Sequence, residues 1–428
     1  MPRHAKSLSV GNDNTQHLSL GVIALCFPVI DVQRAIEACG KASRRVRDLP
    51  AAVVAYYIIG LSLFPGAAYE SVLRWLLCGL QWLESGKFRV SSKAALSKAR
   101  QRLGEAPMRL IFEKLAQPFA DAKLKGCWWR GHHLVVLDGS TVALQDTASN
   151  DAHFGRSTNQ HGNAAWPMAR FVALAEAGTH LIFQAELGRY KDSEIVLAEK
   201  VVAGLRKGML CLADRLFPCL GLWEKARATG AHLLWRAKTG LKLEPDRVLA
   251  DGSWLATWKS SARYRKGPLS VKLRVIEYRL KGGNGETFRL LTSLLDPEQA
   301  PAQELAALYP QRWEIELAIK ESKHVLRAGQ VTLRSKMSEL VKQEFWGLLM
   351  AHYIVRKMMA RAALEGDIDP DNLSFRGSVE VIRSNRTGPV LAFSPSTKIK
   401  PSEDLDQGNR ETKSLRRSRQ KQRAKHQG

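Results

Sequence analysis

Apolar residues recur every three or four positions through roughly the first 125 residues, and Gly and Pro punctuate the runs. This spacing predicts helices over Val32–Cys39, Ala51–Phe64, Tyr69–Leu83, Ser92–Leu103 and Met108–Ala122. Asp48 is a natural N-cap for the second of them and Pro65-Gly66 a stop. No charge interrupts Leu49 to Tyr69, yet the ~14 helical residues between the prolines span only roughly 21 Å. A hydrocarbon core needs ~30 Å, so the segment is predicted to be a buried helix, with no membrane partner.

From Leu134 the pattern shortens. Leu134–Asp138, Ser140–Leu144, Arg170–Glu176 and His180–Leu187 read as strands, Ser193–Leu205 as a helix, and Met209–Asp214 and Ala231–Ala237 as strands again. A meander followed by strand–helix–strand units predicts a mixed sheet with flanking helices, an α/β architecture. Residues 240–286 break the pattern: Val271-Lys272-Leu273-Arg274-Val275 alternates as a half-exposed strand would, and Gly282-Gly283-Asn284-Gly285 is a strong turn. This section is predicted to be a β-rich insertion. Phe288–Leu295 then returns as a strand, followed by helices at Ala302–Leu308, from Tyr309 and over 340–365, before apolar periodicity fades from Arg383. The chain thus divides into 1–125, 126–239, 240–286, 287–382 and 383–428.

Composition alters this picture in one respect. Lys plus Arg number 65 against 41 Asp plus Glu in 428 residues, a net charge of +24. Such an excess favours a polyanion, either nucleic acid or an anionic membrane surface. Lys259, Arg263, Arg265, Lys266, Lys272, Arg274, Arg279 and Lys281 concentrate charge around the insertion. Lys413, Arg416, Arg417, Arg419, Lys421, Arg423 and Lys425 make the last segment a basic tail, expected to be disordered and to touch nucleic acid non-specifically. Lys93, Lys98, Arg100 and Arg102 crowd the Ser-capped fourth helix, which suits a DNA groove or, equally, a solvated basic face. The six cysteines are scattered with no C-x-x-C pair, which points to reduced thiols in a cytosolic protein and away from zinc; His132-His133 reads as structural. There is no secretory signal pattern before the first apolar run at Leu18, no internal repeat and no phosphate-binding loop.

The candidate chemistry lies in carboxylates. Asp138 closes Leu-Val-Val-Leu and Asp214 closes Leu-Cys-Leu-Ala, positions from which each projects into a site at the sheet's rim or serves as a turn former. Tyr309, Arg312, Glu316 and Lys323 fall within about 60° of arc on a helix advancing roughly 100° per residue, with Pro310 at the first turn. Alone, that face is also what a solvated helix with i,i+4 ion pairs would carry. Together, Asp138, Asp214 and Glu316 offer three hard oxygen donors suited to Mg²⁺ or Mn²⁺, and two such ions can drive phosphodiester chemistry.

With these residues in view, the chain resembles the insertion-sequence type-four family of DDE transposases. Tyr309, Arg312, Glu316 and Lys323 match its Tyr-x2-Arg-x3-Glu-x6-Lys motif, and Asp138 in Leu-Asp-Gly-Ser-Thr and Asp214 in Leu-Ala-Asp-Arg match its two aspartates. Ser97-Lys-Ala-Arg-Gln-Arg-Leu-Gly, Trp128-Trp-Arg-Gly, Phe154-Gly-Arg and His232-Leu-Leu-Trp-Arg are also family-like, so the resemblance spans about residues 45–375. It implies a ribonuclease-H-like catalytic core over 126–239 and 287–382, interrupted by the β-rich insertion and preceded by a helical domain that binds DNA ends. It implies Asp138, Asp214 and Glu316 as catalytic metal ligands for Mg²⁺ or Mn²⁺, with Tyr309, Arg312 and Lys323 on the DNA. Lys98, Arg100 and Arg102 are further DNA-binding candidates, and Trp254 and Trp258 are candidates to stack on a flipped base, or are buried structural tryptophans. The implied partners are double-stranded DNA, as element terminal inverted repeats and target, and a second copy of the chain in a homodimer, at the nucleoid of a bacterial cytoplasm. The implied reaction is cut-and-paste transposition through a hairpin; the alternative is an inactive descendant that only binds DNA ends. One departure is Leu216-Phe217-Pro218 after Asp214-Arg215, where the family commonly has a small residue.

Overall fold

The structure is a computed structural model describing residues 19–43, 49–81, 91–159, 162–260, 270–279 and 287–384. Six helices come first: α1 (Ser19–Cys26), α2 (Val29–Ala38), α3 (Ala51–Leu63), α4 (Tyr69–Gln81), α5 (Lys93–Leu103) and α6 (Ala106–Leu115). Then follow β1 (Trp128–Trp129), β2 (His132–Ala143), α7 (Ala148–Phe154), the short pair β3 (Thr158–Asn159) and β4 (Gly162–Asn163), β5 (Met168–Glu176), β6 (Ile182–Arg189), α8 (Glu194–Val201), β7 (Met209–Ala213), α9 (Leu220–Ala228) and β8 (His232–Arg236). The last part holds β9 (Arg247–Val248), β10 (Trp254–Lys259), β11 (Ser270–Arg279), β12 (Thr287–Thr292), α10 (Ala302–Leu308), α11 (Glu314–Lys320), α12 (Ser338–Glu365) and α13 (Phe375–Ser384). The tail beyond 384, the Gly282–Gly285 turn and the basic residues Arg263, Arg265, Lys266 and Lys281 lie outside the described residues.

One mixed sheet runs in the order β6-β5-β2-β7-β8-β12-β11-β10-β9. Strands β2, β7 and β8 are parallel neighbours; every other ladder in the sheet is antiparallel. The ribonuclease-H-like core is the β6-to-β8 half with its flanking helices. The β-rich section is continuous with it, because β12 pairs β8 and carries β11, β10 and β9 outward along the same sheet.

Both faces of the sheet are covered, which explains the unbroken apolar runs. On β2, Leu134 and Val136 pack into a core shared with the N-terminal helices and α12, whereas Val135 and Leu137 face a second core with α8 and α9. The uncharged α3 is buried from Val53 to Leu63, as expected, against the 28-residue α12. The two helices approach closely at Gly347, where a Cβ would stand 2.8 Å from the Ile58 carbonyl oxygen. Among the described residues no helix is long and apolar enough to cross a membrane.

Several expectations are corrected. Leu134–Asp138 and Ser140–Leu144 are one strand: β5 pairs alongside through Gly139↔Val172, so Asp138 lies inside β2 and the Gly-Ser pair makes no turn. Gly139 is needed for a different reason, since a Cβ there would meet the Glu194 carboxylate at 2.8 Å. The helix predicted to reach Ala122 ends at Leu115, ahead of Pro118, and the N–H groups of Phe119 and Ala120 donate to buried Glu176. The α1 helix was not predicted from the sequence. Arg274 does not point outward with Lys272; it is fully buried beneath two loops, donating to Ser253 Oγ (2.7 Å), to the Ala300 carbonyl (2.6 Å) and to Asp251. Asp251 also accepts from Ala302 N at 3.0 Å, so this pair fastens the start of α10 to the sheet.

The face of α5 is also corrected. Lys98 and Arg102 are exposed, but Arg100 is turned inward and bonds Gln343 Oε1 (3.3 Å), Ser335 Oγ (3.2 Å) and the Leu340 carbonyl (2.9 Å). A helix exposes one side only, and the spacing of Leu96, Ala99 and Leu103 places Arg100 with the buried set.

Removing the Arg274 anchor should show in stability. Arg274→Met strands Asp251 and a buried carbonyl, and is expected to cost roughly 2–4 kcal/mol in urea unfolding. A loss below about 1 kcal/mol would mean that the ion pair does not hold α10.

Candidate active site

The two aspartates meet through strand register. The parallel ladder of β2 and β7 ends at Leu137↔Ala213, so Asp138 and Asp214 are the next residue on each of two adjacent strands. Side chains alternate across a sheet, and Leu134, Val136, Leu210 and Leu212 all pack into the core on the α12 side. Asp138 and Asp214 continue that parity and leave the sheet on the same face. Asp138 Oδ1 accepts from Gly139 N at 2.8 Å, and Asp214 Oδ1 from Leu216 N at 2.7 Å. The unusual Leu216-Phe217-Pro218 turn therefore caps Asp214 through its backbone. Phe217 is fully buried in the second core, while Leu216 is exposed.

The third carboxylate arrives on a helical run with an uneven pitch. After α10 the chain tightens to a 3₁₀ turn at Tyr309–Trp313, returns to α-helix over Glu314–Lys320 and widens to a π turn at Glu321–Val325. The predicted single α-helix with Pro310 in its first turn is corrected accordingly. The side chains still converge on β2 and β7. Tyr309 donates to the Ala213 carbonyl at 3.3 Å, Arg312 Nη1 to Glu316 Oε1 at 3.0 Å, and Lys323 Nζ to Ser140 Oγ at 3.1 Å.

Electrostatics tie the acids together. Burial, then the charges of Asp214 and Glu316, push the Asp138 carboxyl up to about 7, against the Gly139 N–H and Arg312, which pull it down. Burial, then Arg327, lowers the Lys323 ammonium. Burial likewise pushes the Tyr309 hydroxyl well above its ordinary value. The three carboxylates lie in one another's field with Arg312 as a cation beside them, and all offer hard oxygen atoms.

Carboxylate and imidazole atoms lying within 4.8 Å of one another occur in a different group, His180, Glu314 and Asp371. Glu314 and Glu316 are two residues apart, roughly 200° around a helix, so they serve opposite sides of α11. Arg356 already supplies the positive charge there, meeting His180 Nδ1 at 2.5 Å and Glu321 Oε2 at 2.8 Å, so the group reads as an internal clamp. Burial raises Glu321, but Arg356 and His352 outweigh it and hold its carboxyl at about 2.

A cleft of about 470 Å³ opens beside Asp214 and is lined by Tyr278, Phe288, Tyr309, Arg312 and Trp313 among others. Trp313 is 55% exposed and lies 4.5 Å from the Arg312 guanidinium, an aromatic that sequence reasoning passed over although it stands between Arg312 and Glu314. Trp254 and Trp258 are not brought to this cleft. Both are half-buried against the second core, with Trp258 6.3 Å from Trp223.

Comparison with known proteins matches residues 17–113 to the insertion element 4 transposase N-terminal family and residues 129–354 to the transposase DDE domain family. Transposase InsG for insertion sequence element IS4, from Escherichia coli K12, is 33% identical over 359 residues, 82% of this chain and 79% of InsG. InsZ from the same strain is 27% identical over 210 residues, 49% of this chain and 68% of its own length.

The raised Asp138 carboxyl has a stability consequence. Below about pH 4 the group is protonated folded or unfolded and has no effect; as pH rises toward about 7 the unfolded chain loses this proton first, so stability falls. Without added cation, Asp138→Asn is expected to raise stability by a few kcal/mol at pH 8 and by almost nothing at pH 4, measured by urea unfolding at each pH. Equal stability of the two proteins at pH 8 would remove the repulsion.

Proposed function

The chain belongs to the insertion element 4 family of DDE transposases, and from that premise we propose that it excises and reinserts its own insertion sequence by cut-and-paste chemistry at Asp138, Asp214 and Glu316. The observation that carries this reading is the parallel register that ends at Leu137↔Ala213, with Asp138 raised by burial and then by the charges of Asp214 and Glu316. DDE domains use divalent metal, and Mg²⁺ or Mn²⁺ suits the three oxygen donors. Bound there, as one ion or two, it would supply Lewis-acid polarisation of the phosphodiester and its attacking oxygen.

The chain's own residues then divide the remaining work. Arg312 holds one oxygen of Glu316 and leaves the other for the metal. Lys323, whose ammonium donates to Ser140 two residues beyond Asp138 on β2, is placed to take a phosphate oxygen, and its half-buried position strengthens that contact. Tyr309 spends its hydroxyl on the strand end before Asp214, so its part in DNA contact falls to the ring that lines the cleft. Exposed Trp313 is better placed than Trp254 or Trp258 to stack on an extruded base. Lys98 and Arg102 remain surface cations suited to end binding by the N-terminal helices.

The proposed sequence follows from the chemistry of one site acting repeatedly. Water opens a P–O3′ bond at the element end, and the freed 3′-hydroxyl attacks the opposite strand's phosphodiester, forming the hairpin bond and releasing the 3′-hydroxyl of the flanking DNA. A second water reopens it, and the same 3′-hydroxyl displaces a 3′-oxygen in target DNA, with two copies of the chain pairing the ends. An inactive end-binding descendant is disfavoured because all three acids are present and the turn after Asp214 keeps that carboxylate capped. Action at the bacterial nucleoid follows from the DNA substrate.

Glu316→Gln is expected to reduce cleavage of a labelled terminal-repeat duplex with Mg²⁺ by at least about 100-fold while leaving end affinity within about twofold. Retained nicking would take Glu316 out of the site. Neutralising Lys323 to Ala should weaken binding to pre-cleaved ends and lower the slope of log affinity against log salt by about 0.9. An unchanged slope would assign Lys323 to structure alone.

A further inference from the structure

Away from the acids, a cavity of about 310 Å³ lies between the N-terminal helices and the segment ahead of α12. Tyr57 of α3, Tyr69 of α4, Lys93 and Arg100 of α5, and Arg334 and Lys336 line it. Four of these six are cations. Arg334 lies over the Tyr69 ring at 4.3 Å and Lys93 at 5.5 Å, so aromatic faces hold both heads toward the space.

Two polar groups there are buried without a partner among the described residues: the Tyr57 hydroxyl, on a residue only 1% exposed, and Arg334 Nη1. Arg100 is buried too, and its bonds go to an amide, a hydroxyl and a carbonyl, all neutral. The charge of nearby Glu344 partly offsets that of Arg100, while its two oxygens accept from Arg334 N at 2.7 Å and Ser335 N at 2.8 Å, leaving the Arg334 guanidinium without a carboxylate of its own among the described residues. Of the four cations only Arg100 is buried; Arg334 is half-buried, and Lys93 and Lys336 are exposed. A buried hydroxyl and a guanidinium nitrogen without partners are costly unless a ligand completes them.

The cavity also connects to the acids. Ala143, at the end of β2, bridges to Thr332, two residues before Arg334. Asp138 stands five residues back on the same strand, about 17 Å away. Lys323 and buried Arg327, whose Nη2 also lacks a partner among the described residues, occupy the stretch between.

We infer that this cavity seats a single backbone phosphate of the DNA on which the protein acts, a contact remote from the chemistry that sets the strand's register. The inference rests on the transposase reading for its ligand, and on the cavity alone for its position. The Tyr57 hydroxyl, the Arg334 guanidinium and the Lys93 and Lys336 ammonium groups donate to the phosphate, while Arg100 supplies fixed charge from behind.

The test uses the full chain without divalent cation and a labelled terminal-repeat duplex in which phosphates are replaced one at a time by neutral methylphosphonate. One position, or two adjacent ones, should weaken wild-type binding about 3–10-fold yet weaken the Lys93→Gln, Lys336→Gln double variant less than about twofold. Tyr57→Phe should lower duplex affinity by a similar factor while leaving the melting temperature unchanged or higher, the reverse of what a structural hydroxyl would show. Equal losses in wild type and double variant at every position would overturn the proposal. So would unaltered duplex affinity in the variants combined with a melting temperature that inorganic phosphate raises in wild type alone, which would make the cavity a free-anion site. The scan is repeated on an unrelated duplex, so that absent preference for the repeat counts against the transposase reading and leaves the phosphate seat to be judged on its own positions.

Discussion

The parallel ladder between β2 and β7 is the constraint on which the rest of the site depends. It is buried on both faces, so its register is held by two cores and cannot slip by one residue without turning every side chain over. Because it stops at Leu137↔Ala213, two carboxylates emerge side by side where the apolar run ends. Burial first, and then the charges of Asp214 and Glu316, lift the Asp138 carboxyl to about 7. Half-buried carboxylates in one another's field raise the energy of the folded chain, and the surrounding fold has to hold them in place.

Three tethers do that for the opposing helical run. The Arg274–Asp251 pair fixes the start of α10, the Tyr309 hydroxyl pins the 3₁₀ turn to the end of β7, and Glu321 locks the π turn to Arg356 and His352 of α12. Between the second and third tethers stands Glu316. Across the change of pitch Tyr309 and Lys323 still reach the sheet, at Ala213 and Ser140, and Arg312 reaches Glu316, because the tightened and the widened turn offset one another. His180 and Glu314 secure the reverse side of α11, leaving Glu316 to face the aspartates.

The basic excess is not spread evenly around this frame. Part of it is internal, as with Arg100, Arg274 and Arg356, each of which joins separate stretches of chain through several acceptors. Part lies open on α5, at Lys98 and Arg102. A third part, half-buried Lys323 and Arg334 with buried Arg327, lies between the acid-bearing part of β2 and the N-terminal helices.

Much of this was legible in the residues alone. Apolar spacing located α2 to α5 and the strands β5, β7, β8 and β12, because local periodicity is set by which face a single element buries. The pairing of Asp138, Asp214 and Glu316 as candidates was legible as well, since a carboxylate after an apolar strand is conspicuous wherever it lies in the fold. What only the tertiary structure decided was side-chain direction and continuity across elements. Gly139-Ser140 reads as a turn until β5 lies beside it, Arg100 and Arg274 read as surface charge until α12 and the 251–253 loop cover them, and Trp313 reads as one more helix residue until the cleft opens next to it. Sequence spacing carries the period of one element. Burial of a cation or exposure of an aromatic depends on partners up to 243 residues away, as Arg100 and Gln343 are, and no local pattern encodes them.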